Sequence, residues 1–406
     1  MNPLGVVCVV ACLMAGALAT PSSSSRQNHL KPSQWLKPNE LESTPSLDEL
    51  TLEQLESMPL DKGAKLMRKL YHLAQINNGV SPNFVPSPSN IPVYIFGSQG
   101  EKETSNLNDY VQTAKQMPRF GQQEVTVFVT GLPESLEKAK KTNTKFIQAY
   151  VQRNSQKPQS PQDDDESKWE SNKPVGGHLV VIDLGHTITN VQRYASLDVD
   201  ETGKMLAKSL VELTNECVPL DNIHVIGQGV AANVCGVAGK VFKALTTHKL
   251  DRITALDPAS QMAKDPKVLT GVARGDAKFV DAIHTSALAL GTTRRCGDVD
   301  FFPNGPSNGA PGARNVFDAQ LQATRYYTET VVPGNERNFP AVKANCFKEY
   351  KNQQGYGKRA YMGINTARDV SGDYMLEVND QSPYGKKTPA TQQKPRHGSH
   401  QRYQNN

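Results

Sequence analysis

The stretch Ile-His-Val-Ile-Gly-Gln-Gly-Val-Ala-Ala-Asn-Val-Cys-Gly-Val-Ala-Gly, residues 223–239, decides the fold of this chain of 406 residues. Three of its first four residues are β-branched and apolar, which favours a buried strand. Glycines at 227 and 229 follow, and glycine adopts backbone angles that other residues adopt only under strain. Small and apolar residues without a proline then favour a buried helix. The stretch predicts a strand, a sharp turn and a helix.

Further strand patterns occur on both sides of this unit, with helical patterns between several of them. They cover residues 93–96, 125–129, 179–184, 253–256 and 279–283. Continuous β-branched runs that alternate with helices are typical of a parallel sheet covered on both faces. The sequence therefore predicts an α/β fold.

The turn resembles the nucleophile elbow of the animal neutral lipases. Residues 227–231 replace the G-x-S-x-G pentad, in which a sharp turn holds a nucleophilic serine above the sheet. Residues 252–259, 276–285 and 297–305 resemble later signatures of the same family, in the right order. The resemblance implies an α/β-hydrolase (lipase-like) domain with a mainly parallel sheet and helices on both faces, plus a short helical N-terminal extension.

The resemblance also implies where a catalytic triad would stand. Asp257 occupies the position of the acid and Gly229 that of the nucleophile, and counting back from the aromatic residues at 325–330 places Gln320 where the family has histidine. A glutamine amide takes up no proton near neutral pH. Losing the nucleophile or the base lowers kcat by about 10⁶ in a serine hydrolase. We expect a protein that is not an enzyme, with three vestigial positions and no catalytic, cofactor or metal site.

Other features of the lipases are altered as well. Residues 124–133 resemble the strand and turn of the oxyanion hole, with Thr130 where the family has histidine and Leu132 where it has a bulky aromatic residue. The chain between Gly312 and Gln320 is too short for a lid that opens over an apolar cleft.

A narrower resemblance comes from residues 84–90, 227–229 and 358–363. These stretches are similar to the yolk proteins of higher flies, a lipase-related group of secreted egg-storage proteins. The resemblance implies a vitellogenin-type nutrient reserve for the embryo. It implies an oocyte endocytic receptor as partner, and haemolymph followed by yolk granules as the location.

Alternatives remain open on the sequence. The vestigial cleft could carry a bound lipid or steroid conjugate, or keep residual lipase or esterase activity, and a homo-oligomer or a hetero-oligomer with other yolk proteins is also open. Residues 227–232 fit the dinucleotide fingerprint G-x-G-x-x-A, but several strands precede them, whereas that fingerprint belongs to the first βαβ unit. The literal G-x-S-x-G around Ser307 has no preceding strand or following helix.

Composition changes divide the chain into four parts, the third of which contains an insertion. Residues 1–19 read as a signal peptide because their apolar run is short and ends in a small-x-small site. Residues 20–90 form an extension with two short helices, the first beginning with a capping box at Ser46 and Glu49. Residues 91–382 form the lipase-like domain, with a disordered polar and acidic insertion at 153–175. Residues 383–406 form a disordered basic tail.

Charge and cysteines limit the partners and crosslinks. The net charge of +5 resides in the tail, since the rest of the chain has 40 basic and 40 acidic residues, so we expect no nucleic-acid partner. No second apolar run is long enough to cross a membrane. Four cysteines remain after the signal peptide, with three complete pairings open: Cys217, Cys235, Cys296 and Cys346.

Overall fold

The computed structural model describes residues 44–77, 83–156, 177–261, 271–286, 289–306, 309–352 and 358–386, with side chains omitted at 75–77. Every described residue belongs to one compact unit. The predicted signal peptide, most of the predicted insertion and tail, and Ser307 lie outside the described residues.

Helices and strands alternate through most of the described part. The helices are α1 (Leu52–Ser57), α2 (Leu60–Asn77), α3 (Tyr110–Lys115), α4 (Glu137–Asn154), α5 (Val191–Ser196), α6 (Val199–Glu216), α7 (Val230–Thr246), α8 (Val316–Val331) and α9 (Phe347–Asn352). The strands are β1 (Pro92–Phe96), β2 (Lys102–Asn106), β3 (Glu124–Val129), β4 (Gly177–Ile182), β5 (Ile223–Gln228), β6 (Leu250–Leu256), β7 (Ala277–Ile283), β8 (Val299–Pro303), β9 (Pro340–Lys343), β10 (Arg359–Tyr361) and β11 (Gly372–Leu376).

All eleven strands form one sheet in the order β10-β9-β11-β8-β7-β6-β5-β3-β4-β1-β2. The pairings from β11 through to β4 are parallel, and the pairings at both edges are antiparallel. This is the α/β-hydrolase arrangement, and it confirms the predicted fold. Strand β5 lies in the interior of the sheet with all six residues buried, so its carboxyl end carries the turn at residue 229 into the protein interior.

Aromatic packing supports the sheet on the face covered by α4 and α8. The ring of Phe128 on β3 stacks on that of Phe146 on α4, with ring centroids 4.0 Å apart. The hydroxyls of Tyr150 and Tyr327 share a hydrogen bond of 3.1 Å, which joins α4 to α8. Because α8 is fixed in this way, the residues on its buried face have defined positions relative to β5.

The N-terminal helix α1 begins later than the sequence predicts. The capping box predicted at Ser46 and Glu49 is wrong, because these two residues close a turn in which the Ser46 N–H donates to the Glu49 carboxylate at 3.0 Å. Thr51 then adopts an extended conformation and supplies the true cap. Its hydroxyl accepts from the Gln54 N–H at 3.1 Å, and its N–H donates to the Gln54 side chain at 2.9 Å.

The helices α1 and α2 pack against the start of α8. The Asn315 side chain donates to the Glu56 carbonyl oxygen at 2.7 Å, and Gly63 lies so close to Val316 that a Cβ would fall 2.9 Å from its methyl group. Leu55, 1% exposed, joins the same core cluster as residues from β5 and α7. The N-terminal helices thus cover the beginning of the helix that carries Gln320.

Candidate functional site: the elbow without a side chain

Gly229 has the backbone geometry of a strained strand-to-helix turn. Its φ of 58° and ψ of −120° lie outside the regions that residues with a Cβ adopt readily. The Gly229 N–H donates to Leu256 at 2.9 Å, and its carbonyl oxygen accepts from Ala259 at 3.1 Å. A Cβ at this position would lie 3.1 Å from the side-chain carbon Cδ of Gln320. The Gln320 amide therefore lies directly beside the point from which a nucleophile would project.

Gln320 is fully buried and fixed by hydrogen bonds. Its Nε2 donates to the Asp257 backbone oxygen at 3.4 Å, and its Oε1 accepts from the Tyr194 hydroxyl at 3.2 Å. Burial raises the pKa of Tyr194 well above its usual value, so the phenol stays a neutral donor. The sequence analysis did not identify Tyr194, which thus holds the Gln320 side chain beside residue 229.

The Asp257 carboxylate is occupied by other partners. Its Oδ1 accepts from the N–H groups of Thr285 and Ser286 at 2.7 and 2.9 Å, and its Oδ2 accepts from the Ser286 hydroxyl. Burial nevertheless raises the pKa of this carboxyl above its usual value. Gln320 bonds to the backbone of Asp257 and not to its carboxylate. The three sequence-predicted positions lie together, but no described hydrogen bond links the Asp257 carboxylate to the residue at 320.

The turn after β3 is also closed by internal hydrogen bonds. The Thr130 hydroxyl donates to Asp183 at 2.6 Å and accepts from the Gly185 N–H at 3.0 Å. The Gly131 N–H donates to the side chain of Gln228, which is fully buried, at 3.4 Å. The polar groups of this turn are therefore engaged with neighbouring side chains.

His284 directly follows β7, and both of its ring nitrogens have hydrogen-bond partners. Its Nδ1 lies 3.0 Å from the Thr292 carbonyl oxygen, and its Nε2 lies 2.8 Å from the Asp300 carboxylate. Burial opposes protonation of this imidazole, but hydrogen bonds to Asp300 and Cys296 raise its pKa to about 10. An imidazole held in this way is a structural cation and does not cycle a proton near neutral pH.

A small cavity lies beside residue 229 in the described part of the chain. A cavity of about 20 Å³ there is lined by Tyr194, Ala195, Leu197, Val199, Val230, Ala259, Ser260 and Gln261. That volume suits one water molecule, whereas small-molecule pockets measure roughly 300–1,000 Å³. A larger hollow of about 530 Å³ is lined, among the described residues, by residues between 45 and 66, and Gly229, Asp257 and Gln320 are not among them.

All four cysteines of the described chain are free thiols, so none of the three pairings is formed. Cys235 is fully buried in α7, and burial raises the pKa of Cys217 to about 11. High pKa values keep both thiols protonated and unreactive near neutral pH.

The described helices include none that is both long and apolar enough to span a bilayer.

Comparison with known proteins relates part of the chain to lipases and nearly all of it to vitellogenins. The profile of the Lipase family matches residues 120–384. Vitellogenin-3 of Drosophila melanogaster is 50% identical over 98% of this chain and 99% of its own length, and Vitellogenin-1 of Ceratitis capitata is 46% identical over 99% and 98%. Human pancreatic triacylglycerol lipase is 30% identical over 41% of this chain and 42% of its own. The similarity to the vitellogenins spans nearly the whole chain.

Proposed function

The chain belongs to the lipase family and, within it, to the vitellogenins of flies. On that premise we propose that the protein is itself a yolk reserve and does not hydrolyse lipid. It is a yolk storage protein, as its near full-length similarity to two fly vitellogenins indicates. The finer proposal is that Gly229 and Gln320 stand where an ancestral nucleophile and base stood.

One observation carries this proposal. Gly229 keeps the strained turn of an elbow, φ 58°, while the amide of Gln320 fills the space that a side chain at 229 would need. Glycine relieves the strain, because it adopts these angles at little steric cost. A neutral amide beside it neither attacks a carbonyl nor removes a proton. Without nucleophile or base, a serine hydrolase loses about six orders of magnitude in kcat, which leaves trace turnover at most.

Purified protein is expected to hydrolyse a soluble p-nitrophenyl ester no faster than buffer, and a fluorophosphonate probe is expected not to label it. The variant Gly229→Ser supplies a hydroxyl but no base, so we expect it to stay unlabelled as well. Pancreatic lipase serves as the positive control for the probe. Stoichiometric labelling of the unaltered protein, together with probe-sensitive turnover, would disprove the non-catalytic assignment.

We further propose that the protein is secreted into haemolymph and enters the oocyte through an endocytic receptor. Its membership among the vitellogenins supports this route. Fluorescently labelled protein is expected to enter cultured follicles saturably, and excess unlabelled protein is expected to compete. A secreted lipase of the same fold is the control, and it should not compete. Uptake that rises in proportion to concentration, without competition, would show fluid-phase entry and contradict a receptor.

A further inference from the structure

Three side chains with metal-ligating atoms meet beside the turn after β3. They are Glu134, Asp183 and His186, and one ligand atom from each lies within 4.8 Å of the other two. The His186 Nδ1 lies 2.9 Å from the Glu134 carboxylate oxygen Oε2. None of the three contacts Gly229, Asp257 or Gln320 in the described hydrogen-bond network.

Local backbone structure explains why the side chains converge. Residues 184–187 form a 3₁₀ helix directly after β4, with Asp183 at its N-cap. Asp183 and His186 lie three residues apart across the start of this helix, with ligand atoms within 4.8 Å of each other. Strands β3 and β4 are parallel neighbours, and their carboxyl ends therefore place Glu134 beside this helix. Carboxyl ends of parallel strands are where α/β proteins build ligand sites.

The turn is anchored, so Asp183 holds its position without a ligand. The Thr130 hydroxyl fixes one Asp183 oxygen at 2.6 Å and accepts from the Gly185 N–H at 3.0 Å. Gly185 itself lies against the Leu132 carbonyl oxygen, where a Cβ would fall at 2.1 Å. Only glycine permits this approach, and it sets the path of the chain between Asp183 and His186.

The cluster carries an excess of negative charge. Asp183 is 8% exposed, and a carboxylate oxygen of Glu134 lies within 4.8 Å of one of its own. A buried carboxylate with a second carboxylate nearby is stabilised by a cation. Glu134 and His186 are about half exposed, with side-chain exposures of 44% and 53%, so an ion reaches them from solvent.

A second three-residue cluster in the described chain lacks these properties. His284, Cys296 and Asp300 are all buried. Asp300 accepts from the His284 ring and from the N–H groups of Cys296 and Gly297, and the other nitrogen of His284 faces Thr292. Its polar groups already hydrogen-bond to one another and to the backbone, so their positions are explained without an ion.

We propose that Glu134, Asp183 and His186 bind one divalent transition-metal ion of the zinc type, with the remaining coordination positions open to water. The ion lies between His186 Nδ1 and Glu134 Oε2, in place of the hydrogen bond that joins them. One imidazole with two carboxylates is a ligand set that suits Zn²⁺, whereas Ca²⁺ and Mg²⁺ prefer oxygen atoms alone. The storage protein would then carry a metal ion as well as amino acids. This proposal holds whether or not the protein is catalytically inactive.

The test uses the full-length protein, stripped with a chelator and titrated with Zn²⁺ by calorimetry and by dialysis with elemental analysis. We expect one ion per chain above any weaker binding. His186→Ala and Glu134→Gln should each weaken that site at least about tenfold, since even the loss of a partner behind a ligand costs that much. Both residues are half exposed, so the apo variants should unfold at the temperature of the unaltered protein.

His248→Ala is the matched control, because His248 is an exposed histidine between α7 and β6. It should leave the zinc affinity unchanged, and a large excess of Mg²⁺ should not displace the ion. Equal affinity in the unaltered protein and His186→Ala, or equal losses in His186→Ala and His248→Ala, would overturn the proposal. Absence of a one-to-one site in the unaltered protein would do the same.

Discussion

Replacing Arg252 by methionine is expected to lower the free energy of unfolding by about 3–5 kcal/mol, the cost of leaving one member of a buried ion pair alone. Arg252 Nε and Nη2 donate to the two oxygens of Asp281, each at 2.8 Å, and both residues are buried. The guanidinium also donates to the carbonyl oxygens of Gly363 and Ile364 at 2.9 and 3.0 Å. The substitution thus removes the hydrogen bonds between β6 and the loop at Gly363 and Ile364. It also leaves the buried Asp281 carboxylate without its charged partner. Urea unfolding followed by circular dichroism measures the loss.

Arg368 offers a matched control for this prediction. Like Arg252, it lies over the ring of Phe279 and pairs with an aspartate, here Asp251 at 2.7 Å. Its side chain is 42% exposed, so Arg368→Met should cost less than about 1 kcal/mol. The double variant Arg252→Met/Asp281→Leu leaves no charge unpaired. It should therefore recover much of the free energy of unfolding that Arg252→Met loses. Equal effects at 252 and 368 would contradict the role of burial.

The second large effect is expected at Asp257, although we propose that it performs no catalysis. Asp257→Ala should lower the free energy of unfolding by about 3 kcal/mol, because two N–H groups and the Ser286 hydroxyl lose their acceptor inside the protein. Alanine is also strained at the φ of 50° that residue 257 adopts. Thermal and urea unfolding would measure the change.

Asp257→Asn separates shape from charge at the same position. Asparagine keeps an acceptor oxygen and tolerates positive φ, so the expected loss is about 1 kcal/mol. If Asp257→Ala is as stable as the unaltered protein, then the Asp257 carboxylate does not contribute to the stability of the fold. If the alanine variant is destabilised while no variant changes ester turnover, the residue persists because it holds the loop that contains Thr285 and Ser286.

The centre of the fold could be predicted because its signals are local. The run at 223–226 and the two following glycines specify β5 and the turn within a few residues, and the helix follows directly. The predicted strands at 93–96, 125–129 and 253–256 likewise lie within β1, β3 and β6. Buried parallel strands carry continuous apolar runs, which a single sequence displays plainly.

The edges of the sheet and the environment of Gln320 could not be predicted in this way. Strand β2, Lys102–Asn106, is polar and largely exposed, so its hydrophobic pattern is weak. The contact between Tyr194 and Gln320 joins residues 126 positions apart, and no spacing rule connects them. The displaced helix start at Thr51 depends on one residue's extended backbone, which competes with an equally good pattern at Ser46.

The filled interior around Gln320 also affects when a reserve of amino acids becomes available. Proteases cut opened chain, and the rate at which they digest a compact protein follows the small fraction that is unfolded at any moment. One buried core joins the N-terminal helices to β5 and α7, and we expect it to keep that fraction small. We therefore expect the destabilised variants Arg252→Met and Asp257→Ala to be digested faster than the unaltered protein.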